Sequence, residues 1–202
     1  MIPGIVLAAG ASRRFAPHHK LLQPYQSHAI IHHGLKAALD SDLSQVILIV
    51  GHRGDEVVEA LGELNQHPKL LVLHNSNWQT GRASTLRLGL DNLNETVEGV
   101  LVYPGDMPLI STPLINDLIE AFQPRLACFP LYNQRKGHPV IFPSTWFEDL
   151  KNLEGEQSAL ELIKTQWDTA IKLERTDIET QMNVNTPRDY EALLQYKEPS
   201  CR

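Results

Sequence analysis

Along the first 122 residues, uninterrupted apolar runs alternate with segments whose apolar residues fall at helical spacing. No other feature restricts the fold as much. The runs lie at residues 5–8, 45–50 (QVILIV), 70–73 and 100–103 (VLVY). The helical stripes lie at 29–39, with Ile30, Ile31, Leu35, Ala38 and Leu39, and at 55–64, with Val57, Val58, Leu61 and Leu64. Two more fall at 83–93 and 113–122. A run without polar alternation predicts a strand buried on both faces. Such strands joined by amphipathic helices predict an α/β chain whose mainly parallel sheet is covered on both sides. The second half is less regular. Strands are expected at 126–131, 140–142 and 170–173, and helices at 145–153, 159–164 and 186–196. Pro113 suits a first helical turn, where the missing N–H costs least, and Thr186 is a candidate cap for the last helix. No repeat, linker or low-complexity stretch divides the chain, so one domain over residues 1–202 is expected, with a loose tail at 197–202.

The chain has 202 residues and a formal net charge of −6. That balance argues against a nucleic-acid partner. It leaves room for a small anionic ligand met by a local basic loop. No run approaches the ~20 apolar residues of a membrane helix, and MIPGIVLAAG lacks the charged start and the length of a secretory signal. A cytoplasmic protein with no membrane partner is expected. Cys128 and Cys201 form neither a disulfide framework nor a metal spacing; one buried core thiol and one loose tail thiol are expected. The histidines show no HExxH spacing, and the pairs His18–His19 and His32–His33 are expected at the surface.

In a sheet of this kind, ligands bind beyond the carboxyl ends of the strands. Residues 9–20, 51–54, 74–85 and 104–108 are therefore the places to look. The stretch LAAGASRR at 7–14 loses side-chain bulk at Ala8, Ala9 and Gly10, then presents Arg13 and Arg14, with Lys20 beyond. Ala9 and Gly10 let the backbone approach a ligand, and free N–H groups in such a turn cradle phosphate oxygens. The three cations would neutralise a polyphosphate. The same residues also describe a plain strand-to-helix turn with solvated arginines. Two phosphate loops are excluded: a dinucleotide fingerprint needs three spaced glycines, and a P-loop needs GxxxxGK[ST], whereas Phe15 stands five positions after Gly10. Asp106, in PGDMP, supplies a hard oxygen suited to Mg²⁺, or it caps a turn. Asn183 and Asn185 alternate on an extended segment and so point the same way.

LAAGASRRFAPHHKLL resembles the signature LA[AG]GxSxRxG…K of the molybdopterin nucleotidyltransferase family. YPGDMPLIS at 103–111, TGRASTLRLGL at 80–90, GHPVIFP at 137–143 and NVNTPRDYEAL at 183–193 are similar to its further motifs, in family order over about 190 residues. The resemblance implies a three-layer Rossmann-like nucleotidyltransferase fold with a mostly parallel mixed sheet, and transfer of a nucleoside monophosphate from an NTP. Ala9 and GHPVIFP resemble the cytidylyltransferase branch, which implies CTP, a molybdopterin acceptor, release of pyrophosphate and delivery to a molybdoenzyme or its chaperone. By the same resemblance the nucleotide is held by Leu7, Ala8, Ala9 and Gly10, by Arg14 and Lys20, by Thr80, Gly81, Ser84 and Thr85, and by Gly105. Arg14, Lys20 and Asp106 are the implied catalytic residues, and Asp106 and Asn185 the implied Mg²⁺ ligands. His138 and Asn183 fall near the implied acceptor, although either also reads as a structural residue. Ser84 alternatively reads as an ordinary helix cap, and Asp189 as first-turn helix charge. Ala16, Pro17, His18 and His19 intervene before Lys20 where the family has glycine. Two rival functions stand: a related transferase using another phosphorylated acceptor such as a sugar phosphate, and a non-catalytic nucleotide- or cofactor-binding module.

Overall fold

The computed structural model describes residues 1–94, 96–176 and 178–196. Its centre is an eight-stranded mixed sheet. The four apolar runs of the first half form β1 (Gly4–Ala8), β4 (Val46–Val50), β5 (Leu70–His74) and β6 (Gly99–Pro104), all parallel. A short hairpin that the apolar pattern does not announce, β2 (Pro24–Tyr25) with β3 (His28–Ala29), forms its own two-stranded sheet. The second half adds β7 (Cys128–Tyr132), β8 (Arg135–Lys136), β9 (Val140–Pro143) and β10 (Ile171–Arg175). The order across the sheet is β10-β7-β9-β6-β1-β4-β5, with β8 attached to β7. β9 runs antiparallel between β6 and β7 and makes the sheet mixed.

Strand pleating sends alternate residues to opposite faces, and each face buries its own core. Val6, Val46, Leu48, Val50, Leu101 and Tyr103 meet α1 (Ile30–Leu39), α2 (Gly54–Glu59) and α4 (Thr112–Ala121). Ile5, Ile47, Ile49, Val100 and Val102 meet α3 (Arg82–Asp91), α5 (Phe147–Lys151) and α6 (Leu160–Thr165). Each fully buried isoleucine or leucine contributes roughly 2 kcal/mol, so this alternation sets the three layers. Tyr103 is buried and donates its hydroxyl to Gly34 O at 2.8 Å, pinning α1 against β6. The expected core thiol is Cys128, which burial pushes up to about 12. Cys201 and the expected loose tail lie outside the described residues.

A third, smaller core positions the site. Phe15, Tyr25, Ile30, Val184 and Leu193 are buried together, joining the loop after β1 and the hairpin to α7 (Pro187–Gln195). Thr186 caps α7 as expected: its side chain accepts from Asp189 N–H, and Asp189 Oδ2 accepts from Thr186 N–H at 2.7 Å. Asp189 is therefore first-turn helix charge. The helix expected over 55–64 is divided, α2 being followed by a separate 3-10 turn at Gly62–Gln66.

Candidate active site

The chain winds outward from β1 through β4 to β5, then returns to lay β6 on the other side of β1. Loops leaving β1 and β6 consequently diverge and open a crevice at their carboxyl ends. An open cleft of about 800 Å³ occupies this position. It is lined by Leu7, Ala8, Ala9, Gly10, Arg14 and Lys20 from the first loop, and by Thr80, Gly81 and Thr85 from the start of α3. Asp106, His138, Asn183 and Asn185 complete it. Residues expected from five distant segments of sequence thus share one cavity.

The loop after β1 is tied down through its carbonyls. Ala9 O accepts from His52 N–H at 3.1 Å, Gly10 O from the His19 imidazole Nε2 at 3.2 Å, and Ser12 O from Phe15 N–H at 2.7 Å. Ser12 adopts a left-handed conformation with φ 52°. The N–H groups of Gly10, Ala11 and Ser12 find no acceptor among the described residues. Spent carbonyls and unspent N–H groups around a left-handed residue form an anion-binding concavity. A side chain at Gly10 would project into open space, the space a ligand would use. Arg13 and Arg14 are exposed and make no ion pair among the described residues.

His19 corrects the expectation of a surface pair. It is 2% exposed, because the Ala16–His19 segment folds back under the loop instead of extending from it. The ring stacks on His52 at 5.7 Å, and His52 meets Trp78 edge-on at 5.1 Å. Burial pushes the His19 imidazole down to about 4 against the opposing hydrogen bond to Gly10, with His52, Arg53 and Lys20 adding to the fall. The neutral ring donates from Nε2, which leaves Nδ1 buried without a partner. His32 and His33 are half-buried, and His32 stacks on His28 at 3.9 Å.

Asp106 follows β6 directly. The turn can approach the first loop because Gly105 packs where a Cβ would lie 2.7 Å from Ile31 Cδ1. Asp106 is 4% exposed. Its carbonyl accepts from Val184 N–H at 2.9 Å, tying the β6 turn to the segment before α7. Val184 points into the third core, so Asn183 and Asn185 on either side face the cleft. Lys20, whose N–H donates to Ser12 Oγ at 3.3 Å, forms an ion pair with Asp106 Oδ2 and donates to Asn185 Oδ1 at 3.1 Å. Asp106 Oδ1 is buried with no hydrogen-bond partner among the described residues. The intervening Ala16–His19 segment therefore leaves Lys20 in the cleft. Asp106 Oδ2 and Asn185 Oδ1 already hold a cation here, and the orphaned Oδ1 of Asp106 adds a third oxygen; that donor set fits a hard divalent ion.

At the start of α3, Gly81 caps the helix with φ 110°, and a Cβ there would lie 2.2 Å from Gly155 O. Ser84 is not the cap. Its hydroxyl bonds Gly81 O at 2.8 Å and accepts from Asn75 Nδ2, which also reaches Thr85 Oγ1 at 3.0 Å. Neither Ser84 nor Gly105 lines the cleft. Sequence reading missed Asn75, the buried amide that orders this turn, and Trp78, Arg82 and Glu156 on the cleft wall. The position of Asn75 immediately after β5 was the available signal. At the opposite end, His138 N–H donates to Thr180 O at 2.9 Å, fixing the backbone, while the imidazole lines the cleft. Burial, reinforced by Lys136, pushes that imidazole down to about 3.

The first 171 residues carry a recognisable family pattern: residues 4–171 match the MobA-like NTP transferase domain. The purine catabolism protein PucB of Bacillus subtilis is 28% identical over 93% of both chains. The molybdenum cofactor cytidylyltransferase of Escherichia coli is 26% identical over 68% of this chain and 67% of that one. The bifunctional protein GlmU of Staphylococcus saprophyticus is 32% identical over 57% of this chain, and the match spans only a quarter of GlmU's length. Among solved structures, Rv0371c of Mycobacterium tuberculosis superposes with a TM-score of 0.83 at 26% identity, covering 96% of this chain and 98% of that one. Its complex with manganese superposes at 0.79, with 25% identity and the same coverage. No helix among the described residues is long and apolar enough to cross a membrane. The family match begins at the first residue of β1 and ends at the first of β10, taking in the loop, the acid and most of the cleft between them, and the chain belongs to the MobA-like NTP transferases and is a nucleotidyltransferase.

Proposed function

We propose that this nucleotidyltransferase moves CMP from CTP to a terminal phosphate of molybdopterin, with release of pyrophosphate. The observation that carries the reading is the convergence of the anion-binding loop at 10–12 with Lys20, Asp106 and Asn185 at the switch point of the sheet. Ala9 and GHPVIFP at 137–143, together with the likeness to the Escherichia coli cytidylyltransferase, favour CTP and this acceptor.

The acceptor phosphate is anionic and attacks the α-phosphorus in line with the departing pyrophosphate, so no general base is required. Catalysis then consists of positioning and charge neutralisation. The N–H groups of Gly10, Ala11 and Ser12 receive phosphate oxygens, while Arg14 and Lys20 take up charge that builds on the β- and γ-phosphates. Asp106 and Asn185 would hold Mg²⁺, which when bound supplies Lewis-acid charge at the phosphate oxygens. Thr80, Gly81 and Thr85 contact the base from the start of α3. His138, held neutral by burial with its ring bonded to the Val102 backbone, and Asn183 shape the acceptor end of the cleft without adding charge.

The test is a pyrophosphate-release assay with CTP, GTP and ATP, with and without molybdopterin and Mg²⁺. Because PucB aligns over nearly the whole chain under a purine-catabolism name, a panel of other phosphorylated acceptors accompanies it. Release with CTP that requires both molybdopterin and Mg²⁺ supports the reading; selective release with another acceptor overturns the molybdopterin assignment. Asp106→Ala is expected to lose nearly all turnover while keeping the wild-type circular dichroism spectrum. Near-normal transfer by that variant would remove Asp106 from the metal site.

A further inference from the structure

The ammonium of Lys20 rests between the two side chains best suited to hold a divalent ion. It is paired with Asp106 Oδ2 and lies 3.1 Å from Asn185 Oδ1. Among the described residues lining the cleft, the other acid is Glu156, paired with Arg82 at 3.0 Å, and nearby Asp189 is engaged by the N–H groups of Asn185 and Thr186. Among the described residues, no group of three or more histidines, cysteines or acids could hold a metal. One carboxylate, its side chain 6% exposed, therefore serves either the ammonium or a metal ion. Placing a divalent charge beside the ammonium would leave a net positive charge in a largely buried pocket, where like charges repel strongly.

We propose that Lys20 is a tethered plug of the cation site. In the nucleotide-free enzyme its ammonium occupies the place between Asp106 and Asn185, and a divalent ion enters once an incoming triphosphate draws the ammonium away. This rests on the reading of Asp106 and Asn185 as metal-holding residues. The tether is short and correctly aimed. Lys20 N–H is bound to Ser12 Oγ at 3.3 Å, so the backbone stays attached to the loop that receives phosphate. Only the flexible side chain needs to swing, from the acid towards the N–H groups at 10–12. Metal and nucleotide would then bind as a pair, and free metal would be held weakly.

The experiment is a titration of Mn²⁺ into nucleotide-free protein, with unbound Mn²⁺ followed by electron paramagnetic resonance. Lys20→Met and Lys20→Gln remove the charge without and with a polar end, respectively, and circular dichroism checks each fold. Both variants are expected to bind Mn²⁺ at least ~10-fold more tightly than wild type, given the repulsion removed. Adding Asp106→Asn to either should abolish that gain. Unchanged or weaker binding in both lysine variants overturns the plug; if Asp106→Asn alone still removes metal-dependent turnover, the metal reading of Asp106 survives that result. Tighter binding that persists with Asp106→Asn places the ion elsewhere and overturns both.

Discussion

Acidification should weaken this fold through His19, a residue absent from the chemistry but buried beneath it. The ring is 2% exposed, donates from Nε2 to Gly10 O, and has no partner at Nδ1. Desolvation pushes it down from the ordinary 6.5 to about 4. In the unfolded chain the same imidazole takes up a proton first as pH falls. The stability it contributes is therefore complete above pH 6.5 and is lost progressively between 6.5 and 4. Linkage over that gap gives a loss of about 2 kcal/mol at pH 5 and about 3 kcal/mol below pH 4. Urea unfolding at pH 7 and pH 5 measures it, comparing wild type with His19→Gln, whose amide keeps a donor for Gly10 O and does not titrate. Wild type should lose about 2 kcal/mol more than the variant between the two pH values. His32, His33 and His138 are also pushed down by burial, but their contributions cancel in the comparison where the sites are independent. Any constant cost of the substitution cancels as well. Equal losses in the two proteins would refute the account of His19 as a buried neutral ring.

Two further substitutions probe how the cleft walls are held. Gly81→Ala forces an L side chain into φ 110° and against Gly155 O; a loss of about 2 kcal/mol in thermal or urea unfolding is expected, with a raised KM for nucleotide. Asp189→Ala removes the acceptor for the Asn185 and Thr186 N–H groups. It should cost about 1 kcal/mol of stability and lower kcat on the order of tenfold by freeing Asn185, whereas an unchanged kcat would show that the cap does not orient that amide.

What was legible in the sequence and what was not divide along a physical line. Parallel strands present their carboxyl ends on one side, so residues following 5–8 and 100–103 had to meet once the order of the strands placed β1 beside β6. Asp106 and the loop carrying Lys20 could therefore be expected as neighbours from the strand pattern, whereas Asn185 joined them only through the family resemblance, the period-2 pattern of Asn183–Val184–Asn185 giving its direction. His19, Asn75 and Ser84 were misread or missed because their roles depend on satisfaction inside the fold. His19 is buried by His52 and the loop it supports, which lie in a separate βα unit as well as its own. Ser84 sits at a helix start, where a free hydroxyl is a reasonable ligand, but Asn75 from the preceding strand end consumes it. Lys20 shows the same limit in the site itself: its charge and position were readable, yet its present partner is the acid rather than a phosphate. A pattern of residue types specifies which groups assemble at the mouth of the sheet. Which of them are already spent on one another is decided by three-dimensional competition for donors and acceptors, and that competition determines what remains available to a substrate.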